Sequence, residues 1–220
     1  SAASDVYKRQ KWFPVSAGFF ATIFSRKQLF VRAVEEVSFD VKKGEFFGLV
    51  GESGSGKTTT GKLVLRLSEP TSGTISFKGQ DITGLTESML KPLRREMQII
   101  FQDPYESLNP RMTITNILSE PLRVQGVGDP AEIEEKVKNI LDDVELVPPR
   151  EFLFRYPHEF SGGQRQRVAV ARAFILCPEF VVADEPVSML DVSIRGEILN
   201  LMVSLVEKYG ASFLYITHDL

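Results

Sequence analysis

Gly51-Glu52-Ser53-Gly54-Ser55-Gly56-Lys57-Thr58 carries the strongest chemical signal in the chain. It follows the apolar run Phe46 to Val50 and precedes Leu63, Val64 and Leu67 at helical spacing, so the local order is strand, glycine-rich loop, helix. The stretch fits G-x-x-x-x-G-K-[ST], in which backbone N–H groups wrap phosphates and a helix N-terminus adds positive potential. Lys57 is expected to reach the β- and γ-phosphates of a nucleotide, and the Thr58 hydroxyl to hold Mg²⁺. Gly51, Glu52, Ser53, Gly54, Ser55, Gly56 and Thr59 complete the expected cradle.

A second constellation lies far along the chain. Phe180-Val181-Val182-Ala183-Asp184-Glu185 reads as a buried strand that delivers two carboxylates at its C-terminal end, where open α/β sheets bind ligands. Asp184 is expected in the Mg²⁺ shell. Glu185 is expected to orient or deprotonate the attacking water, because phosphoryl transfer needs positioning and charge compensation more than covalent help.

These residues need a scaffold, and the pattern supplies one. Val34, Val37, Phe39 and Val41 nearly alternate before a turn at Lys43-Gly44, giving a strand ahead of Phe46 to Val50. Further strands are expected at Gly73 to Gly79 and Gln98 to Phe101, with a short helix around Glu87 to Glu96 between them. The sheet is expected to be mixed. From Thr113 to about Val147 the pattern is helical, with a start at Pro130-Ala131-Glu132 and Ile133, Val137, Ile140, Leu141 and Val144 on one face. A helix over Gly162 to Leu176, a strand at Phe180 to Ala183, a helix over Val192 to Lys208 and a strand at Ser212 to Thr217 follow. That alternation suits a buried parallel sheet.

The chain has 220 residues, 43% hydrophobic and 25% charged, with a formal charge of −3 and a pI near 5.6. There is no sequence-wide basic field, so nucleic acid is not expected as a partner. Cys177 is the sole cysteine, which excludes an internal disulfide framework and suits a reducing cytosolic setting. The apolar stretch Trp12 to Phe24, flanked by basic residues and holding Pro14 and Gly18, is too short for a spanning helix and reads as a loop or strand edge. Residues Ser1 to Gln10 resemble one reading frame of a transposon adapter used for sequencing libraries, so they are expected to be an artefact outside the fold. A fragment open at both ends is the corresponding expectation.

Further along, Phe160-Ser161-Gly162-Gly163-Gln164 resembles the Leu-Ser-Gly-Gly-Gln signature of ABC ATPases, departing only at its first position. The chain thus resembles an ABC transporter ATP-binding protein. Physically, Ser161 and two glycines open a helix whose exposed N–H groups and dipole can face a γ-phosphate without an intervening side chain. The resemblance implies an α/β P-loop NTPase fold over residues 11–220: an ABC ATPase core with mixed sheet plus an α-helical subdomain at about 103–176. It also implies that Gln102 is the Q-loop glutamine near Mg²⁺, that Ser188-Met189-Leu190-Asp191 is the D-loop, and that His218 is the switch histidine on the γ-phosphate. Phe30 is the candidate for stacking on adenine, with Trp12 and Phe13 as rivals.

Phe101 to Met112, Tyr156 to Phe160 and Asp184 to Ser188 are similar to the oligopeptide and dipeptide importer ATPases. That resemblance implies Mg-dependent ATP hydrolysis powering uptake of oligopeptides, dipeptides or related solutes at the cytoplasmic face of the membrane. ATP would lie between the P-loop of one cassette and the signature of another, so Ser161, Gly162, Gly163 and Gln164 would act on the partner's nucleotide. The implied partners are a second ATPase subunit, identical or sister, transmembrane permeases and, indirectly, a solute-binding protein. A soluble ABC ATPase acting on ribosomes or DNA and an exporter ATPase are the alternatives. Roughly 100 residues separate Thr58 from Ser161, without the sustained heptads of a DNA-repair coiled coil.

Overall fold

The computed structural model of the protein describes residues 2–14 and 30–218. Its strands fall into two sheets of opposite character, so the mixed strand directions are divided between them. The antiparallel sheet holds β1 (Ala2–Pro14), β2 (Phe30–Lys42), β4 (Ser72–Phe77) and β5 (Gln80–Asp81), in the order β2-β1-β4-β5. The parallel sheet holds β3 (Phe46–Val50), β6 (Met97–Ile100), β7 (Phe180–Asp184) and β8 (Ser212–Thr217), in the order β3-β8-β7-β6.

Ala2 to Gln10 form most of β1, paired antiparallel with β2 and β4, for example Val6 with Phe39 on one side and Ile75 on the other. The reason is that sheet pairing recruits backbone N–H and C=O groups, so a polar segment can add a strand without an apolar pattern of its own. Trp12 to Pro14 close that strand; residues 15–24 of the apolar stretch lie outside the described residues.

Helix α1 (Lys57–Val64) follows β3, and α2 (Glu87–Leu90) and α3 (Leu93–Glu96) precede β6. Beyond β6 lie α4 (Pro104–Ser107), α5 (Ile114–Val124), α6 (Pro130–Asp143) and α7 (Gly162–Phe174), and α8 (Val192–Tyr209) joins β7 to β8. The helical block expected from Thr113 onward is two helices, because Gly126 and Gly128 take φ of 65° and 83° between them. At the start of α6, Asp129 accepts hydrogen bonds from the N–H groups of Ala131 and Glu132, while Glu132 accepts one from Asp129 N–H. This reciprocal cap explains the sharp start at Pro130.

All five residues of β7 are buried, and their period of two feeds two cores. Val181 and Ala183 face one core with Phe213 and residues of α5 to α8; Phe180 and Val182 face another with Val64, Ile75, Phe77, Leu214 and Ile216. Burying each such valine or phenylalanine contributes about 1.5–3 kcal/mol. The parallel sheet is therefore a rigid central layer, and its function depends on what its strand ends carry. No helix among the described residues is long and apolar enough to cross a membrane.

Candidate functional site

Parallel register brings distant sequence positions to one edge. Val50 pairs with Thr217, Asp184 with Ile216 and Ile100 with Ala183. The segments that leave these strands at their C-terminal ends carry Gly51, Glu185, Gln102 and His218, so the fold gathers four separately read motifs at one rim.

The glycine-rich loop is held by its own lysine. Lys57 Nζ donates to the carbonyls of Gly51 at 2.7 Å and Glu52 at 2.8 Å and is 8% exposed, so the ammonium lies inside the turn. Gly56 enters α1 at φ 93°, and a Cβ there would lie 2.0 Å from the Ala33 carbonyl oxygen. Only glycine fits this position without displacing β2. A cavity of about 280 Å³ is lined by Ser53, Gly54, Gly56, Lys57, Thr58 and Thr59 of the loop, with Gln102, Glu185 and Ala33.

Asp184 and Glu185 divide their work by environment. The Thr58 hydroxyl donates to Asp184 Oδ1 at 3.0 Å across 126 positions of sequence. Burial holds the Asp184 carboxyl above the ordinary carboxylate range and the neighbouring Glu185 charge adds to this, while the Thr58 bond, Lys62 and Lys57 oppose it. Glu185 is the meeting point: its Oε2 lies 3.4 Å from Gln102 Nε2 and 3.0 Å from His218 Nδ1, and its Oε1 4.0 Å from Lys57 Nζ. Its backbone has φ 46°, unusual for a side chain of this size, and is held by Glu185 N–H donating to Ile216 O at 2.9 Å.

The Thr58 hydroxyl meets the Asp184 carboxylate, and Thr58 lines the cavity together with Gln102, whose side-chain amide carries a further oxygen. This all-oxygen donor set fits a hard divalent cation, which would also favour the ionised form of the buried Asp184.

The glycine helix start at Ser161 is finished differently. Ser161 Oγ accepts from Gln164 N–H at 3.3 Å, and Gln164 Oε1 accepts from Ser161 N–H at 3.0 Å. The Arg165 guanidinium lies 4.6 Å from the Tyr105 ring centre, and its Nε donates to Phe160 O at 3.0 Å. A Cβ on Gly163 would sit 2.8 Å from Ile194 Cγ2, so α7 and α8 approach this closely only because residue 163 is glycine. Ser161, Gly162, Gly163 and Gln164 do not line the cavity around Lys57.

The side chains of Phe30, Trp12 and Phe13 lie outside the described residues, and so does the choice among them as an adenine-stacking ring. Sequence reasoning missed Ala33, whose carbonyl closes against Gly56, and Arg195, which binds the loop after Glu185. Ala33 left no signal. An arginine in the first turn of α8, opposed to the helix dipole, was a signal for the second.

The chain is 50% identical over 212 residues to the oligopeptide transport ATP-binding protein AppF of Bacillus subtilis (strain 168), covering 96% of this chain and 63% of that protein. It is 50% identical over 208 residues to the glutathione import ATP-binding protein GsiA of Salmonella paratyphi A, covering 94% of this chain and 32% of GsiA. The chain thus spans less than two thirds of the length of these relatives. Among solved structures, an ATP-binding cassette in a dimeric post-hydrolysis state bound to ADP and Pi superposes with a TM-score of 0.83 at 28% identity, covering 98% of this chain and 88% of that one. Residues 34–188 match the ABC transporter family model, and the chain belongs to that family.

Proposed function

We propose that the chain is the ATP-binding and ATP-hydrolysing part of an ABC importer for oligopeptides, dipeptides or related solutes, acting as one of a pair of cassettes. The carrying observation is the convergence of Lys57, Gln102 and His218 on Glu185, beside a Thr58–Asp184 pair, at the mouth of a glycine-rich loop. Lys57 binds the β- and γ-phosphates, with loop N–H groups from Gly51 to Thr59 around them. Thr58 and Asp184 would hold Mg²⁺, with Gln102 at its margin; bound there, the ion supplies charge compensation for the phosphates. Glu185 orients the attacking water and takes its proton, while Gln102 and His218 hold the carboxylate in place. His218 also faces the γ-phosphate.

Ser161, Gly162, Gly163 and Gln164 serve the nucleotide of a partner cassette, identical or sister. Their absence from the cavity lining and the dimeric state of the ADP-bound structural relative support this reading. The names of AppF and GsiA support import of peptides. Permease subunits at the cytoplasmic face of the membrane, with a solute-binding protein beyond them, are the corresponding partners.

Phosphate release from Mg-ATP by the chain, beside its Glu185→Gln variant, tests the chemistry. Turnover in the paired unaltered chain and tight ATP binding with strongly reduced turnover in the variant are expected; near-normal turnover in the variant would remove Glu185 from its role. Loss of labelled-peptide uptake on disrupting the gene tests the cargo class, and undiminished uptake would overturn it.

A further inference from the structure

We infer that Arg195 is a positioning residue for Glu185, an inference that rests on the ATPase reading above. Arg195 lies in the first turn of α8, where a cation opposes the helix dipole, so local helix energetics do not favour it there. Its guanidinium turns back onto the preceding loop instead. Nε donates to Leu190 O at 2.9 Å and Nη2 to Ser188 O at 3.3 Å. Ser188 in turn donates to the Glu185 carbonyl twice, from N–H at 3.1 Å and from Oγ at 3.0 Å. A continuous chain of hydrogen bonds therefore runs from the Arg195 guanidinium to the backbone of the acid.

The space around Glu185 explains why such a clamp matters. Besides the cavity around Lys57, Glu185 lines a second one of about 300 Å³ with Ser188, Arg195, Tyr215 and His218. Glu185 is the residue common to the linings of both. Its carboxylate faces Lys57 and Gln102 in the first, while the second offers room for it to swing away. The strained φ of 46° at Glu185 persists only while its surroundings hold it, and the Arg195-closed loop is part of those surroundings. Arg195 bonds to Leu190 and Ser188 and does not line the cavity around Lys57, so its effect falls on the chemical step.

The test compares Arg195→Met, Arg195→Lys, Glu185→Gln and the double variant R195M/E185Q with the unaltered chain, measuring ATP Kd, kcat and KM. R195M is expected to lower kcat by about tenfold or more, as misplacement of a catalytic group does, with Kd within about twofold. R195K should recover part of the loss, since an ammonium can still reach one carbonyl. R195M should slow E185Q no further, because the clamp acts through the missing carboxylate. A merely structural role would give full additivity in the double variant. Unaltered kcat in R195M, or full additivity, overturns the inference; should R195M fail to fold, R195K alone and combined with E185Q reads the same two outcomes. An unaltered chain that hydrolyses no ATP at concentrations where it is paired sinks the ATPase reading and this inference together. Turnover abolished by E185Q but indifferent to R195M sinks the inference alone.

Discussion

The loop at Lys57 and the helix start at Ser161 are made of the same material, glycines and a hydroxyl ahead of a helix, yet they are finished in opposite ways. At the first, groups from four strand ends interlock: Thr58 reaches Asp184, and Gln102, His218 and Lys57 surround Glu185. At the second, Ser161 and Gln164 satisfy each other, and neither lines the cavity. The first is assembled within one chain, while the second is a capped helix start whose N–H groups the proposed function gives to the nucleotide of a partner cassette. The difference teaches that a glycine-rich helix start becomes a binding site only through what the fold brings opposite it.

Variants can break that comparison. The largest expected effect is in Glu185→Gln, which should lower turnover roughly 10²- to 10⁴-fold, the range for loss of a general base, with ATP binding retained. Lys57→Ala removes a charged phosphate contact and should weaken ATP binding roughly 10- to 100-fold, read by titration of a fluorescent nucleotide. Gly163→Ala forces a Cβ against Ile194 and should cost about 1–3 kcal/mol in denaturant unfolding, while ATP binding by the same chain is unchanged. Weaker ATP binding in that variant would erase the distinction between the two regions. Ser161→Ala, which loses only a cap, should cost about 1 kcal/mol of stability.

Asp184 sharpens the comparison through pH. Its folded carboxyl titrates above the ordinary carboxylate value because of burial, so the folded state holds its proton over an interval where the unfolded state has released it. The contribution of this group to stability therefore falls as pH rises from the ordinary carboxylate value through the raised one. The nucleotide-free Asp184→Asn chain should lose that component of the pH dependence and melt at a higher temperature at neutral pH. A scan of Tm against pH for both chains checks it; parallel curves would contradict it.

Much of this was legible in the sequence where local chemistry and local pattern agree. The run Phe180 to Asp184 is apolar throughout because both faces are covered, and the glycines before Lys57 mark a turn that other residues cannot make. Strand order was not legible, because the pairing of β3 with β8 and of β6 with β7 is decided by crossovers and packing between remote segments. The pairing of β1 was not legible for the complementary reason: it is a backbone matter that polar side chains do not announce. At the site, residue types identified Lys57, Thr58, Asp184 and Glu185, and family resemblance supplied Gln102 and His218. Arg195 belongs to neither group: its place in the first turn of α8 sets it apart, but its bonds to two loop carbonyls have no pattern in sequence.

The central claim is that one chain holds a chemically assembled nucleotide site lacking its opposing helix start, so that turnover requires a second cassette. Specific ATPase activity measured against chain concentration, with association followed by sedimentation, tests it most directly. Negligible activity is expected where the chain is monomeric and a rise in step with pairing, absent in Gly163→Ala. Constant specific activity across concentrations where the chain is monomeric would contradict it.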